Sequence, residues 1–176
     1  SMKKILVILI VSFLSINCAQ KAEGPAIVTK EVSYTADGIT LKGFYAYDEN
    51  VKEKRPGVIV VHEWWGNNAY SKMRAKMLAE LGYTALAIDM YGDGKVVDNP
   101  RDAGKMTMGV MQNPELAKVK FEAGINFLKE QSQTNPEKIA AIGYCFGGGV
   151  VLHMAVVGAD LNGVVSFHGS LPTDSI

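Results

Sequence analysis

The sequence predicts an α/β fold, a mostly parallel sheet covered by helices and entered through an antiparallel hairpin. Three observations lead there. Beyond the charged turn KEKRPG, continuous apolar runs of strand length alternate with segments of helical period, the pattern of parallel strands joined by crossover helices. Ahead of that turn, IVTKEVSYTADGITLKGFYAYDE alternates like two half-buried strands around Asp37-Gly38, a dipeptide suited to a tight turn. With 48% of its 176 residues apolar, the chain can bury one sizeable core.

The elements follow in order. GVIVVHEWWG carries a Val/Ile run expected in a strand buried on both faces. Residues 70–81 place Met73, Met77, Leu78 and Leu81 at helical spacing, and Gly82 supplies the stop. TALAIDM, 84–90, reads as another buried strand, and YGDGKVVDNP as a loop rich in turn residues. Pro114 opens a second helix, NPELAKVKFEAGINFLKEQ, whose expected apolar stripe is Leu116, Val119, Ala123, Phe127 and Leu128. KIAAIGYC then reads as a strand, 146–157 as a helix and NGVVSFHG as a further strand.

The N-terminus is a separate matter. Ser1 is set aside, and Lys3 and Lys4 precede an apolar run from Ile5 to Ile16, the layout of a secretory signal and too short to span a bilayer comfortably. The run ends at Cys18 before the polar AQKAEG, which resembles a bacterial lipoprotein signal whose cysteine is lipidated, although Asn17 and Leu14 depart from its usual pattern. The expected organisation is therefore a signal over 1–18, a linker over 19–27 and a folded domain from 28 to 176, exported to the periplasm or cell envelope and either tied to a membrane through a lipid on Cys18 or released by the general signal peptidase. With Cys18 outside the fold, Cys145 has no disulfide partner, and an unpaired thiol in an oxidising compartment calls for a reason. Charge adds little: 18 basic residues balance 18 acidic ones, which argues against a nucleic-acid surface.

AAIGYCFGGGVVLHMA supplies that reason. Strand, small-X-nucleophile-X-small (Gly143, Tyr144, Cys145, Phe146, Gly147) and helix follow one another, the context of a nucleophile elbow. A sharp turn there would push the Cys145 side chain over the C-terminal end of the sheet, facing the start of the next helix. The competing reading is a buried cysteine before a glycine-rich helix start; phosphate-loop patterns are missing. In this architecture the oxyanion amides come from the residue after the nucleophile, Phe146, and from the loop HEWWGNN, where Trp64 is the natural donor. Glu63, ending a buried strand, is either a surface carboxylate or a partner that takes the thiol proton or holds the thiol neutral. His62 beside it does not form an HExxH, and adjacent strand residues point to opposite faces, so no metal is expected. No cofactor is expected either.

VVHEWWG, DMYGDGK and GYCFGGG, in this order and in these contexts, resemble members of the dienelactone hydrolase family, of the α/β-hydrolase fold. The resemblance covers 28–176. It implies hydrolysis of a small-molecule ester or lactone, with a Cys-His-Asp triad in which Cys145 is the nucleophile and Glu63 the carboxylate that activates it. Trp64 and Phe146 amides would form the oxyanion hole. The aromatic pair Trp64 and Trp65 is expected in the pocket wall, the alternative for Trp65 being to pack under the loop. Dienelactone-cleaving members carry an arginine after the DxY of the fourth strand to grip the substrate carboxylate, whereas this chain has Asp93, so the dienelactone itself is not the expected substrate.

The triad's acid and histidine follow two further strands in the family, in the order nucleophile, acid, histidine. Asp160 precedes its strand and is expected at the wrong end of the sheet. His153 lies two turns into a helix, and His168 stands at the correct end of its strand, but Asp174 follows it and reverses the order. The expectation is a chain lacking the last strands and helix, its remaining triad residues lying beyond Ile176, and inactive alone. The alternatives are a catalytically silent surface lipoprotein and a peptidase or other acyl hydrolase.

Overall fold

The computed structural model describes residues 24–171. Two long strands, β1 (Ile27–Ala36) and β2 (Ile39–Asp48), pair antiparallel across Asp37 and Gly38, both at positive φ (49° and 73°), as the expected tight hairpin turn requires. β1 takes in Ile27, the last residue of the expected linker. The remaining elements are β3 (Arg55–Val61), α1 (Ala69–Glu80), β4 (Thr84–Ile88), α2 (Pro100–Met111), α3 (Pro114–Lys129), β5 (Thr134–Tyr144), α4 (Phe146–Val156) and β6 (Gly163–Phe167). The strands form one sheet in the order β1-β2-β4-β3-β5-β6, antiparallel where β2 meets β4 and parallel from β4 to β6.

The two sheet faces differ in side-chain size, and β4 shows why. Its alternation sends Leu86 and Ile88 to the face covered by α3 and α4, where Phe121, Ile125, Leu128, Val151 and Met154 meet Ile59 and Val61. Ala85 and Ala87 point to the opposite face, with Ala46 and Val60, and there α1 packs through Ala75 and Ala79. Such a floor of short side chains admits a helix only if its inner stripe is also small. Of the expected stripe of α1 only Leu78 packs, half-buried, against this face; Met73, Met77 and Leu81 are turned outward, 45%, 42% and 72% exposed, while Ser71, Ala75 and Ala79 are buried.

On α3 the buried positions are Ala117, Lys120, Phe121, Gly124, Ile125 and Leu128, so only Leu128 of the expected stripe is buried and Val119 is exposed. The close approach at Gly124, where a Cβ would lie 2.7 Å from Ile88 Cγ2, fixes that rotation. Residues 101–111 carry no expected element, yet α2 forms there. Pro100 occupies its first turn and the Asn99 side chain accepts from the Asp102 amide.

Topology also selects a site. β3 and β5 are parallel neighbours with Val61 opposite Gly143, and the chain leaves β3 for α1 on one face but β5 for α4 on the other. The crevice between the C-terminal ends of two such strands is where ligands bind in open α/β sheets.

Candidate active site

Cys145 sits at that crevice as the N-cap of α4, a free thiol of intermediate exposure with φ 53° and ψ −117°. A non-glycine residue held there costs about 1–3 kcal/mol, and the turn is over-determined by its surroundings. Its amide donates to the Phe167 carbonyl (2.9 Å), and its own carbonyl accepts from Gly148 and Gly149 (3.0 and 3.3 Å). Two glycines make room. A Cβ on Gly143 would stand 2.0 Å from the Gly147 carbonyl oxygen, and one on Gly147 would stand 2.4 and 2.6 Å from the carbonyl oxygens of Val61 and His62.

The loop after β3 faces this elbow. Glu63 is half-buried, and among the described residues its carboxylate makes no hydrogen bond, to Cys145 or to anything else. Its charge bears instead on Arg74, whose guanidinium is held above its ordinary range chiefly by its bond to the Tyr70 hydroxyl, with a smaller contribution from Glu63. Trp64 packs edge-on against Trp65 with ring centroids 5.0 Å apart, and both rings are half-buried. Among the described residues, neither the Trp64 N–H nor the Phe146 N–H donates to an acceptor. Two unspent amides therefore lie on the two segments that meet at Gly147, the loop after β3 and the first residue of α4.

The residues that hold this loop are ones the sequence reading did not assign to the site. His62 is buried with both ring nitrogens engaged: Nδ1 donates to the Glu63 carbonyl (2.5 Å) and Nε2 accepts from the Met90 amide (3.2 Å). Burial pushes its imidazole below the usual range, so the ring is neutral at physiological pH. The Tyr91 hydroxyl donates to the Trp64 carbonyl (2.7 Å). Asp89, buried, accepts from the amides of Lys42, Tyr91, Gly92 and Gly94 and so winds the DMYGDG turn around itself. Lys120 completes the turn by donating to the carbonyls of Met90 and Tyr91 (3.2 and 3.0 Å). Burial lowers its pKa, opposed by the nearby Asp89 charge. The signal was present in an acidic residue followed by two glycines at the end of a buried strand, which is a request for backbone amides.

The other candidates lie apart. Asp93 is exposed at φ 56° on the outside of that turn. Asp160 is exposed before β6 and pairs with Lys129. His153 is half-buried within α4, and His168 is exposed just past β6 at φ 45°; neither hydrogen-bonds Cys145. Asp174 and Cys18 lie outside the described residues. Among the described residues no cluster of three or more His, Cys, Asp or Glu side chains could hold a metal ion, and no helix is long and apolar enough to cross a membrane.

Comparison with known proteins places this geometry. The family model "dienelactone hydrolase family" matches residues 41–176. The chain is 37% identical over 144 residues to Protein usf of Aquifex pyrophilus, an alignment covering 78% of this chain and 60% of that protein. It is 33% identical to a putative carboxymethylenebutenolidase of Aquifex aeolicus, covering 70% and 54% respectively. Among solved structures, one titled m3DLH superposes with a TM-score of 0.80 at 35% identity, over 84% of this chain and 61% of that one. A dienelactone hydrolase-like promiscuous phosphotriesterase from metagenomic libraries gives 0.79 at 37%, over 83% and 61%. The chain thus spans about 60% of the length of the first relatives it matches. Its mixed sheet, antiparallel first and then parallel, is that of the α/β-hydrolase fold, and the chain belongs to the dienelactone hydrolase family.

Proposed function

We propose that the protein hydrolyses a small-molecule ester or lactone through an acyl-enzyme on Cys145. The observation that carries this reading is the Cys145 backbone at φ 53°, ψ −117°, strained between β5 and α4, together with Trp64 and Phe146 amides that have no acceptor among the described residues. A merely buried thiol would require neither the strain nor the unspent donors.

In the proposed sequence the Cys145 thiol gives up its proton, with Glu63 as the candidate acceptor. The sulfur then bonds to the carbonyl carbon while the carbonyl electron pair moves onto oxygen. The Trp64 and Phe146 amides receive that oxyanion, a contribution worth about 10²–10³ in rate per donor in comparable sites. Collapse breaks the carbon–oxygen bond, and the leaving oxygen takes a proton. Water then opens the thioester, which releases the acid and restores the thiol. His62 has no nitrogen free to take part, since both are engaged within the fold.

The test is turnover of p-nitrophenyl acetate by the full-length gene product, with a burst of p-nitrophenol marking the acyl-enzyme. Cys145→Ala should abolish both burst and turnover; a variant that retains them removes Cys145 from the nucleophile role. Export and lipidation at Cys18 are proposed from the N-terminal sequence. Labelled palmitate retained by a Cys18→Ser variant would refute that attachment.

A further inference from the structure

We infer that His62 is a positioning residue that aims the Trp64 amide at the reacting carbonyl, an assignment that rests on the acyl-transfer reading above. Nε2 accepts a hydrogen bond from the Met90 amide, so it carries a lone pair, and in a neutral imidazole the proton must then be on Nδ1. Nδ1 donates it to the Glu63 carbonyl.

That carbonyl belongs to the peptide unit whose N–H is the Trp64 amide. The unit is planar and trans, so its C=O and N–H point in opposite directions, and fixing one end fixes the other. His62 grips the oxygen end, and the N–H end is left without an acceptor among the described residues. A hydrogen bond accepted at the carbonyl also polarises the amide and strengthens it as a donor.

The ring itself has little freedom. It is buried, lies edge-on to Tyr91 at 4.8 Å between centroids, and packs 5.8 Å from the ring of Phe146, the residue bearing the second free amide. Tyr91 then secures the next peptide unit through the Trp64 carbonyl. One imidazole thus joins the end of β3, the end of β4 and the first residue of α4. The DMYGDG turn, through Met90 and Tyr91, serves the oxyanion loop.

The test compares wild type, His62→Phe and His62→Asn in the full-length protein. Phenylalanine keeps the ring packing and removes both nitrogens; the asparagine amide NH₂ can stand near the place of Nδ1–H. The expectation for His62→Phe is a fall in kcat of about 30- to 100-fold on p-nitrophenyl acetate, approaching the loss of one oxyanion donor. KM should change by less than about threefold, since the interaction is made in the transition state. His62→Asn should recover part of that loss.

Two measurements need no turnover. ¹⁵N-histidine spectra of the wild type should show His62 neutral with its proton on Nδ1, and the ¹⁵N resonance of the Trp64 amide should move in His62→Phe. A folded His62→Phe with wild-type kcat, a loss confined to KM, an Nε2–H tautomer or an unmoved Trp64 resonance would each overturn the inference. Should His62→Phe not fold, His62→Asn and the tautomer decide it, and Asn with no better than background activity counts against it. Should the wild type prove inactive on esters with the two spectra as expected, the acyl-transfer reading fails and the amide-positioning contact stands.

Discussion

Replacing Gly147 by alanine tests the elbow with one methyl group. The added Cβ would lie 2.4 Å from the Val61 carbonyl oxygen and 2.6 Å from that of His62, where ordinary contact begins at 3.4 Å, so α4 and the end of β3 must separate by about 1 Å. Both sides of the clash are backbone, and no rotamer can relieve it. Overpacking of this kind costs about 1–3 kcal/mol, or about 2–12 °C in Tm for a domain of this size. The same displacement moves Cys145 relative to the loop that carries Trp64, and a misplacement of about 1 Å typically costs about 100-fold in rate. Gly149→Ala is the control: two residues on in the same helix, its nearest contact is the Ser170 carbonyl oxygen at 3.4 Å, and the helix gains about 0.8–1.0 kcal/mol of propensity. Thermal melts and p-nitrophenyl acetate turnover of the full-length protein should therefore give a lowered Tm and slow hydrolysis for Gly147→Ala, and an unchanged or raised Tm for Gly149→Ala. A Gly147→Ala protein with wild-type Tm and kcat would refute the close packing on which the elbow rests.

Tyr45, 1% exposed, has its phenol pushed up from 10.0 to about 12, mainly by burial. A raised pKa contributes stability that is complete below pH 10 and is lost as pH rises from about 10 to about 12, roughly 2–3 kcal/mol in all at ~1.4 kcal/mol per pKa unit. Chemical denaturation across that window should show a shallower loss in Tyr45→Phe, and an identical slope would sink the assignment. Lys120→Met should leave the Met90 and Tyr91 carbonyls without their donor and cost about 1–3 kcal/mol, read as a lowered denaturation midpoint; an unchanged midpoint would show that the turn holds without the ammonium.

The fold was largely legible because backbone pattern and chain order decide it. Asp37-Gly38 announced the hairpin, and the apolar runs of β3 and β4 announced strands buried on both faces. Helix faces were not legible, for a reason visible in β4. Which side of α1 turns inward is decided by the size of the side chains beneath it, and Ala85 and Ala87 select Ala75 and Ala79 over the larger methionines. Apolar periodicity ranks Met73 above Ala75, whereas the packing surface ranks them by volume. α2 escaped the reading for a different reason: only Ala103 is buried along its length, so a sparse apolar pattern left the N-P-x-D cap as its main signal.

The site was legible where a residue's role depends on its own backbone and obscure where it depends on a partner far along the chain. Glycine spacing around Cys145 is local, and the strained turn it suggests is present at φ 53°. DMYGDGK invited a reading by what an outward-facing side chain at Asp93 could grip. Its inward-facing residues have closer tasks: Asp89 takes up four backbone amides, Met90 offers its amide to His62, and Tyr91 reaches the Trp64 carbonyl. Asp89's bonds to Tyr91, Gly92 and Gly94 are local, but the last two contacts leave no periodicity, because each joins the end of one strand to the loop after another, 27 or 28 residues away for Tyr91 and Met90. The three motifs that marked the family are thus parts of one structure. GYCFGGG supplies the strained thiol, VVHEWWG the free amide, and DMYGDGK the turn that braces that amide from behind. A substitution in the third motif should accordingly be felt at the second: Tyr91→Phe, which loses only the bond to the Trp64 carbonyl, should lower kcat more than it alters KM.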